Sequence, residues 1–365
     1  MSPRQQQHRL KKINCAQKSR GAALILVLGI LSVIGILAVQ IMDTVDDLTK
    51  QQQGLKQLQQ SYWYARAGEQ YAAFISGDYL YTKRLKAEQT LLSFPIEQGV
   101  LQVTLKPLQN CFNLNSFSER SGINVMNRAF IDVIDNPAIS GDTAMDATAS
   151  ALDENLNSTA LKRRQLQSLF AMLELDKDSS DYFADRLIDW LDQDNLPSGY
   201  HGAENTYYAS EQPGQLTPNQ HLVIADEMRD FLGDKFSQYQ AVMPLLCTRP
   251  GDNKLQINVN QLDESNAFLI SAALLDKIDK QTAIDIIKDR PEEGFASLIE
   301  FWQLPAFKDI KISVMQKNSL SLENRYFQVR SSVSYKDANY ISFSVIRING
   351  KKQVQVISRQ YGVNS

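Results

Sequence analysis

The stretch "SRGAALILVLGILSVIGILAVQIMD", Ser19 to Asp43, decides how the rest of this 365-residue chain is read. From Ala22 to Met42 it runs for 21 residues without a charge. A helix of that length, rising about 1.5 Å per residue, spans roughly 30 Å, the thickness of a bilayer core. The residues before it carry Arg4, Arg9, Lys11, Lys12, Lys18 and Arg20 and no acid. The positive-inside rule keeps that end in the cytoplasm and places everything after Met42 on the far side. A secretory signal has a shorter apolar core and a small-residue cleavage site beyond it. Here the core is long, and Asp43, Asp46 and Asp47 follow it with no Ala-x-Ala pattern. A retained single-span anchor is therefore preferred over a removed signal.

No Pro or Gly cluster interrupts the passage into "DTVDDLTKQQQGLKQLQQSYWYARAGEQYAAFISGDYL", Asp43 to Leu80. This segment is rich in Gln, Leu, Ala and Lys, which favour helix. Leu48, Leu55, Leu58, Tyr62, Ala65, Glu69 and Ala72 fall near helical spacing, which predicts one long helix, apolar and then amphipathic, to about Phe74. Over the whole chain, 43% hydrophobic and 22% charged residues are ordinary for a globular protein, and the length allows more than one domain. A net charge of −3 argues against a general nucleic-acid binder, which carries a basic surplus. Of the three cysteines, Cys15 precedes the apolar run and Cys111 and Cys247 follow it. If the run is a membrane boundary, the last two share a compartment and can pair.

Val100, Leu101, Val103, Leu105 and Leu108 alternate imperfectly with polar residues and read as a strand. At the other end, "YFQVRSSVSY", "YISFSVIRI" and "KQVQVISRQY" are rich in β-branched and aromatic residues. Asn349-Gly350 reads as a two-residue hairpin turn, and "KDAN" turns the chain before it. The β signals lie at about 95–110 and 325–361. Between them, "TALKRRQLQSLFAMLEL", "SDYFADRLIDWLDQ", "NQHLVIADEMRDFL", "SNAFLISAALLDKI", "QTAIDIIKDR" and "GFASLIEFWQL" space apolar residues by three and four. Residues 137–160 are poor in large apolar side chains and read as a mobile loop. This order suits an α+β fold: a small sheet with a large helical block inserted into it.

The densest chemistry lies in Asp181, Asp185, Asp189, Asp192, Asp194 and Glu204, with Arg186 the one strong base among them. Asp185, Asp189 and Asp192 share a helix face, where like charges destabilise by a few tenths of a kcal/mol per pair. Pro197, Gly199 and Gly202 then force an irregular turn. Two readings stand: a solvated acidic helix end, or a site for a hard cation, with oxygen donors favouring Ca²⁺ over Zn²⁺. The loop is no EF-hand. Counted from Asp192, position 6 is Pro197 and position 12 is Ala203, where that motif needs Gly and Glu.

Enzyme signatures are missing: only His201 and His221 follow the apolar run, and no Gly-x-Ser-x-Gly, His-Glu-x-x-His or phosphate loop is present. A metal hydrolase at the acidic loop would lack a nucleophile and base. Residues 257–304 resemble a helix-hairpin-helix module. The nucleic-acid version needs a Gly-rich, basic hairpin, whereas "LLDKIDKQTA" has no Gly, and Arg249 to Lys311 hold 8 Lys/Arg against 11 Asp/Glu. A packing unit is preferred, with a membrane-tethered periplasmic binding module of the DNA-uptake type as the alternative.

A basic leader, a Gly directly before an apolar helix, and a long helix leading into a globular part together resemble a type IV pilin-like precursor. Leu26 stands at the fifth position after Gly21, where most pilins have Glu. With "CFNLN" at 111–115, "DWLDQDNLPSGYHGAENTYY" at 189–208 and "CTRPGDNKLQINVNQLD" at 247–263, the chain is identified as a member of the K-type minor pseudopilins (GspK) of type II secretion systems. The resemblance implies cleavage by prepilin peptidase between Gly21 and Ala22. It implies a pilin helix and sheet around an α-domain at about 112–320, with strands from 321 onward. A single-pass inner-membrane protein is expected, its N-terminus cytoplasmic and its C-terminal domain periplasmic. The implied partners are the I- and J-type minor pseudopilins and the major pseudopilin, with no nucleic acid. A disulfide between Cys111 and Cys247 is implied, as is structural calcium, the ligand set being Asp192, Asp194 and Glu204 with Asn205 and Asp189.

Overall fold

A computed structural model describes residues 20–76, 90–118, 158–349 and 353–362. The basic leader to residue 19, most of the small-residue stretch 137–160, and Gly350 of the expected turn lie outside them. Residues up to Gln60 and those from Ser61 onward form two separate units.

The first unit contains the start of helix α1, Arg20–Ile75. Its apolar side chains are exposed throughout, Leu24 at 62% and Met42 at 71%. Among the described residues it is the one helix long and apolar enough to cross a membrane. Its few hydroxyls fold back on the helix: Ser32 donates to the Leu28 carbonyl at 2.8 Å, Thr44 to Gln40 at 2.8 Å and Thr49 to Val45 at 2.7 Å. Hydroxyls satisfied in this way do not themselves require water.

In the second unit the rest of α1 turns amphipathic, burying Ser61, Ala65, Gly68, Glu69 and Ala72 on one stripe. The stripe lies on a five-stranded antiparallel sheet, β1 Thr90–Ile96, β2 Gly99–Pro107, β3 Tyr326–Tyr335, β4 Ala338–Ile348 and β5 Val354–Tyr361, ordered β1-β2-β3-β4-β5. Leu101, Val103, Leu105, Phe327, Val329, Val333, Ile346 and Ile348 alternate toward the helix and form its core. Gly68 is needed for the approach, since a Cβ there would meet Val103 Cγ2 at 2.8 Å. Glu69, 5% exposed, takes the Arg359 guanidinium at 2.9 and 3.1 Å and Arg66 Nη1 at 2.7 Å. This cluster ties α1 to the edge strand β5.

Sheet neighbours β2 and β3 pair in register from Gly99↔Tyr335 to Pro107↔Phe327, yet the whole helical block lies between them in sequence. Its elements are α2 Ser158–Ala171, α3 Lys177–Leu191, α4 Asn205–Tyr208, α5 Met228–Leu232, α6 Leu269–Ala273, α7 Lys280–Lys288, α8 Leu298–Trp302 and α9 Val314–Lys317. They enclose their own apolar core, which includes Phe112, Leu166, Phe170, Phe183, Phe231 and Phe301. Buried amides staple the block together. Asn113 donates to the Asp252 carbonyl at 2.9 Å and accepts from Arg249 N at 3.1 Å. Asn115 grips both backbone groups of Leu222 at 2.8 Å. Cys111 and Cys247 are joined by a disulfide where the short strands Phe112–Asn113 and Leu246–Cys247 run parallel.

Four sequence expectations change. The strand β1 begins at Thr90, ahead of the β signal expected from about residue 95; Pro95 weakens its strand signal, and its turn uses Gln98 at φ 60° rather than a glycine. "NQHLVIADEMRDFL" is helical only from Ala225, because Asn115 holds Leu222 in a non-helical path. "SNAFLISAALLDKI" shortens to α6, since Leu275 and Asp276 take left-handed φ values of 54° and 57°. The last hairpin closes by Asn349 N donating to the Gln353 carbonyl at 3.0 Å, so its loop is wider than the two-residue turn Asn349-Gly350.

Candidate metal centre

Helix α3 organises the acidic region. Its first turn is capped by Asp176, which accepts from Ser179 N at 2.7 Å; hydrogen bonding by the Ser179 side chain and then by its N–H holds the Asp176 carboxyl below the usual range. Phe183, Leu187, Trp190 and Leu191 face the core, which fixes the helix rotation and hence where its acids point.

Those acids are more buried than a solvated helix end would be. Asp185 is 1% exposed and Asp189 fully buried. Arg163 of α2 pairs with Asp185 and reaches Asp181 at 3.4 Å. The local count of bases missed this partner because it comes from another helix. Asp185 also accepts from His201 N at 3.0 Å, and Asp189 accepts from Ser198 N at 2.8 and 3.1 Å. The repulsion expected along α3 is thus offset by a guanidinium and two backbone N–H groups.

Beyond α3 the chain gathers three carboxylates. Asp192 closes the helix, its N–H bonded to the Ile188 carbonyl at 2.9 Å. Asp194 forms a turn by accepting from Leu196 N at 2.8 Å. Glu204, 4% exposed, precedes α4. One oxygen from each of Asp192, Asp194 and Glu204 lies within 4.8 Å of the others. Calcium holds six to eight oxygens at about 2.3–2.6 Å, so two ligands on one ion stand no more than about 5 Å apart. The spacing and the all-oxygen chemistry fit a hard divalent cation, with carbonyls or water completing the shell.

Asp189 and Asn205, the other expected donors, hold hydrogen bonds within the same loop. Asp189 is on Ser198, as above. Asn205 Oδ1 accepts from Thr217 N at 2.9 Å and Thr217 Oγ1 at 2.8 Å, while its Nδ2 donates to Asn195 at 3.0 Å. Its role is to close the far side of the loop. Arg186 anchors the exit, its guanidinium 4.0 Å from the Tyr207 ring centre and beside Tyr208, whose hydroxyl burial pushes up to about 12. His201 Nε2 contacts Asp178 at 3.0 Å.

The helix-hairpin-helix-like segment uses its turn for packing. Asp276 accepts from Ser168 at 2.7 Å, and Lys277 donates to the Lys311 carbonyl at 2.6 Å and to Gln316 at 3.0 Å.

Two family models, each described as type II secretion system (T2SS), protein K, match residues 110–251 and 257–323, together more than half of the chain. The type II secretion system protein K of Pectobacterium carotovorum subsp. carotovorum is 26% identical over 94% of this chain and 97% of its own length. That of Aeromonas hydrophila is 28% identical over 76% of this chain and 78% of its own. A crystal structure of a GspK-GspI-GspJ complex from the enterotoxigenic Escherichia coli type 2 secretion system contains a chain with the same fold. It superposes with a TM-score of 0.66 at 23% identity, over 86% of this chain and all of that one.

Proposed function

The chain belongs to the type II secretion system protein K family, and on that premise we propose that it is a structural minor pseudopilin set at the tip of the periplasmic pseudopilus, with no catalytic step of its own. The observation that carries the reading is the match of both family models to the helical block, the part that sets this fold apart from a plain helix-and-sheet pilin. Three features of the molecule support the tip position. Helix α1 offers a fully exposed apolar surface to lipid or to subunits below. Leu26 replaces the Glu used in the usual pilin pairing. The block between β2 and β3 is too bulky to repeat along a thin fibre.

In this reading prepilin peptidase cuts between Gly21 and Ala22, and α1 is kept as the inner-membrane anchor with the C-terminal part in the periplasm. I- and J-type minor pseudopilins bind beside this chain, in line with the GspI and GspJ of the solved relative's complex, and the major pseudopilin continues the filament beneath. Calcium at Asp192, Asp194 and Glu204 stabilises the helical block. The test is co-expression of the full chain with its I- and J-type partners in membranes. One copy of each is expected in the purified complex, with Ala22 at the N-terminus of this chain. Filaments built from this chain alone, or a mature protein beginning at Met1, would overturn the proposal.

A further inference from the structure

The stretch from Asp192 to Glu204 is held from beneath by two carboxylates that do not belong to the three-carboxylate group. Asp185 takes the N–H of His201, and Asp189 takes the N–H of Ser198. Both side chains are 1% exposed or less and sit one turn apart on α3, the helix whose end carries Asp192. The loop backbone comes down onto them through two glycines. A Cβ on Gly199, at φ 58°, would lie 2.4 Å from Asp185 Oδ1. A Cβ on Gly202 would lie 2.4 Å from the Ser198 backbone N and O and 2.5 Å from Asp189 Oδ2. No other residue type permits so close an approach.

Resting on the cation reading of Asp192, Asp194 and Glu204, we infer that Asp185 and Asp189 are positioning residues for that site. Their hydrogen bonds fix the path of the loop so that Glu204 returns to Asp192 and Asp194. Three carboxylates on a free loop of this length repel one another and gain entropy by separating. Pinned at Ser198 and His201, the loop cannot open without breaking bonds to two buried charged groups, each stronger than a neutral hydrogen bond. The ion then meets a shape already made, and outer groups of this kind set metal affinity by about 10–100-fold. Arg163 neutralises Asp185, which keeps that carboxylate on the backbone rather than on the ion.

The experiment measures Ca²⁺ binding by titration calorimetry on the full chain in detergent, stripped with chelator beforehand. Wild type is compared with Asp189→Asn and Gly202→Ala. The second variant leaves every carboxylate in place and only lifts the loop from its pin, so it also carries the test if Asp189→Asn does not fold. Both variants are expected to bind at least about tenfold more weakly. Their circular dichroism at saturating Ca²⁺ should match wild type, which a general loss of folding would not give. Unchanged affinity in Gly202→Ala overturns the inference, including the case in which Asp189→Asn alone is weakened and therefore acts through its charge. A wild type that binds no Ca²⁺ removes the cation reading itself, an outcome distinct from the other two.

Discussion

Removing the Cys111–Cys247 cross-link by a double change, Cys111→Ala with Cys247→Ala, tests how the helical block is held to the sheet. The two cysteines are 136 residues apart. In the chain-entropy model a loop of that length restricts the unfolded chain by about 5 kcal/mol. The unit from Ser61 to Ser365 holds about 300 residues, whose unfolding entropy near 60 °C is roughly 0.6 kcal/mol/K. The ratio gives a fall in melting temperature of about 8 °C. The parallel pairing of Phe112 with Leu246 and Asn113 with Cys247 survives the change, as does the small core of Leu108, Tyr326 and Val345 around the sulfurs. The native state should therefore keep its shape and the loss should fall on the unfolded side. Differential scanning calorimetry of the full chain in detergent, oxidised, reduced and doubly substituted, reads the effect. The reduced wild type should melt close to the double variant. Two alkylatable thiols in protein purified from an oxidising compartment, or a double variant that melts with the oxidised chain, would refute the reasoning.

Chelation should lower the melting temperature, since a ligand at a hundred times its Kd stabilises by about 2.7 kcal/mol; Asp192→Ala with Glu204→Ala should remove that sensitivity, and a curve indifferent to chelator counts against the site. Glu69→Gln weakens the bond to Arg359 and Arg66, and urea unfolding should show a loss of about 2 kcal/mol, moderated because Arg359 is partly exposed; stability equal to wild type would mean the cluster is incidental. His221 accepts from Gly251 N at 3.0 Å, and burial lowers its pKa below the ordinary 6.5, opposed by the nearby Asp252. The folded state binds fewer protons there than the unfolded chain, so the contribution is full above pH 6.5 and lost as pH falls toward the lowered folded value. His221→Gln should flatten that part of the melting-temperature profile, and an unchanged slope below neutrality would remove His221 as its source.

What could be read from the sequence follows the range of the forces involved. Periodicity is local, so α1 and the strands β3, β4 and β5 were legible to within a residue or two, as was the order of sheet, helices, sheet. The proximity of Asp192, Asp194 and Glu204 was legible too, because a short loop can hardly separate them. The path from Gln220 to Ile224 was not, since its departure from helix depends on Asn115, more than a hundred positions earlier. Arg163 was hidden for the same reason: its pairing with Asp185 exists only once α2 meets α3. That Asp189 and Asn205 also accept hydrogen bonds from Ser198 and Thr217 could not be read from the sequence, since those contacts exist only once the loop is folded.

The placement of the helical block between β2 and β3 also sets a timetable for the newborn chain. The β1–β2 hairpin is complete early, but Pro107 must wait for Phe327, roughly 220 residues later, which at about 5–20 residues per second is some 10–45 s of synthesis. Throughout that delay β2 presents an unpaired edge, the kind of surface that recruits stray strands. Such long-range pairing is slow to form even when the chain is whole. The half-built sheet is therefore the vulnerable species in this protein's biogenesis. A holdase that covers the β2 edge until β3 emerges would act at that stage, which a change that stabilises only the finished fold does not reach.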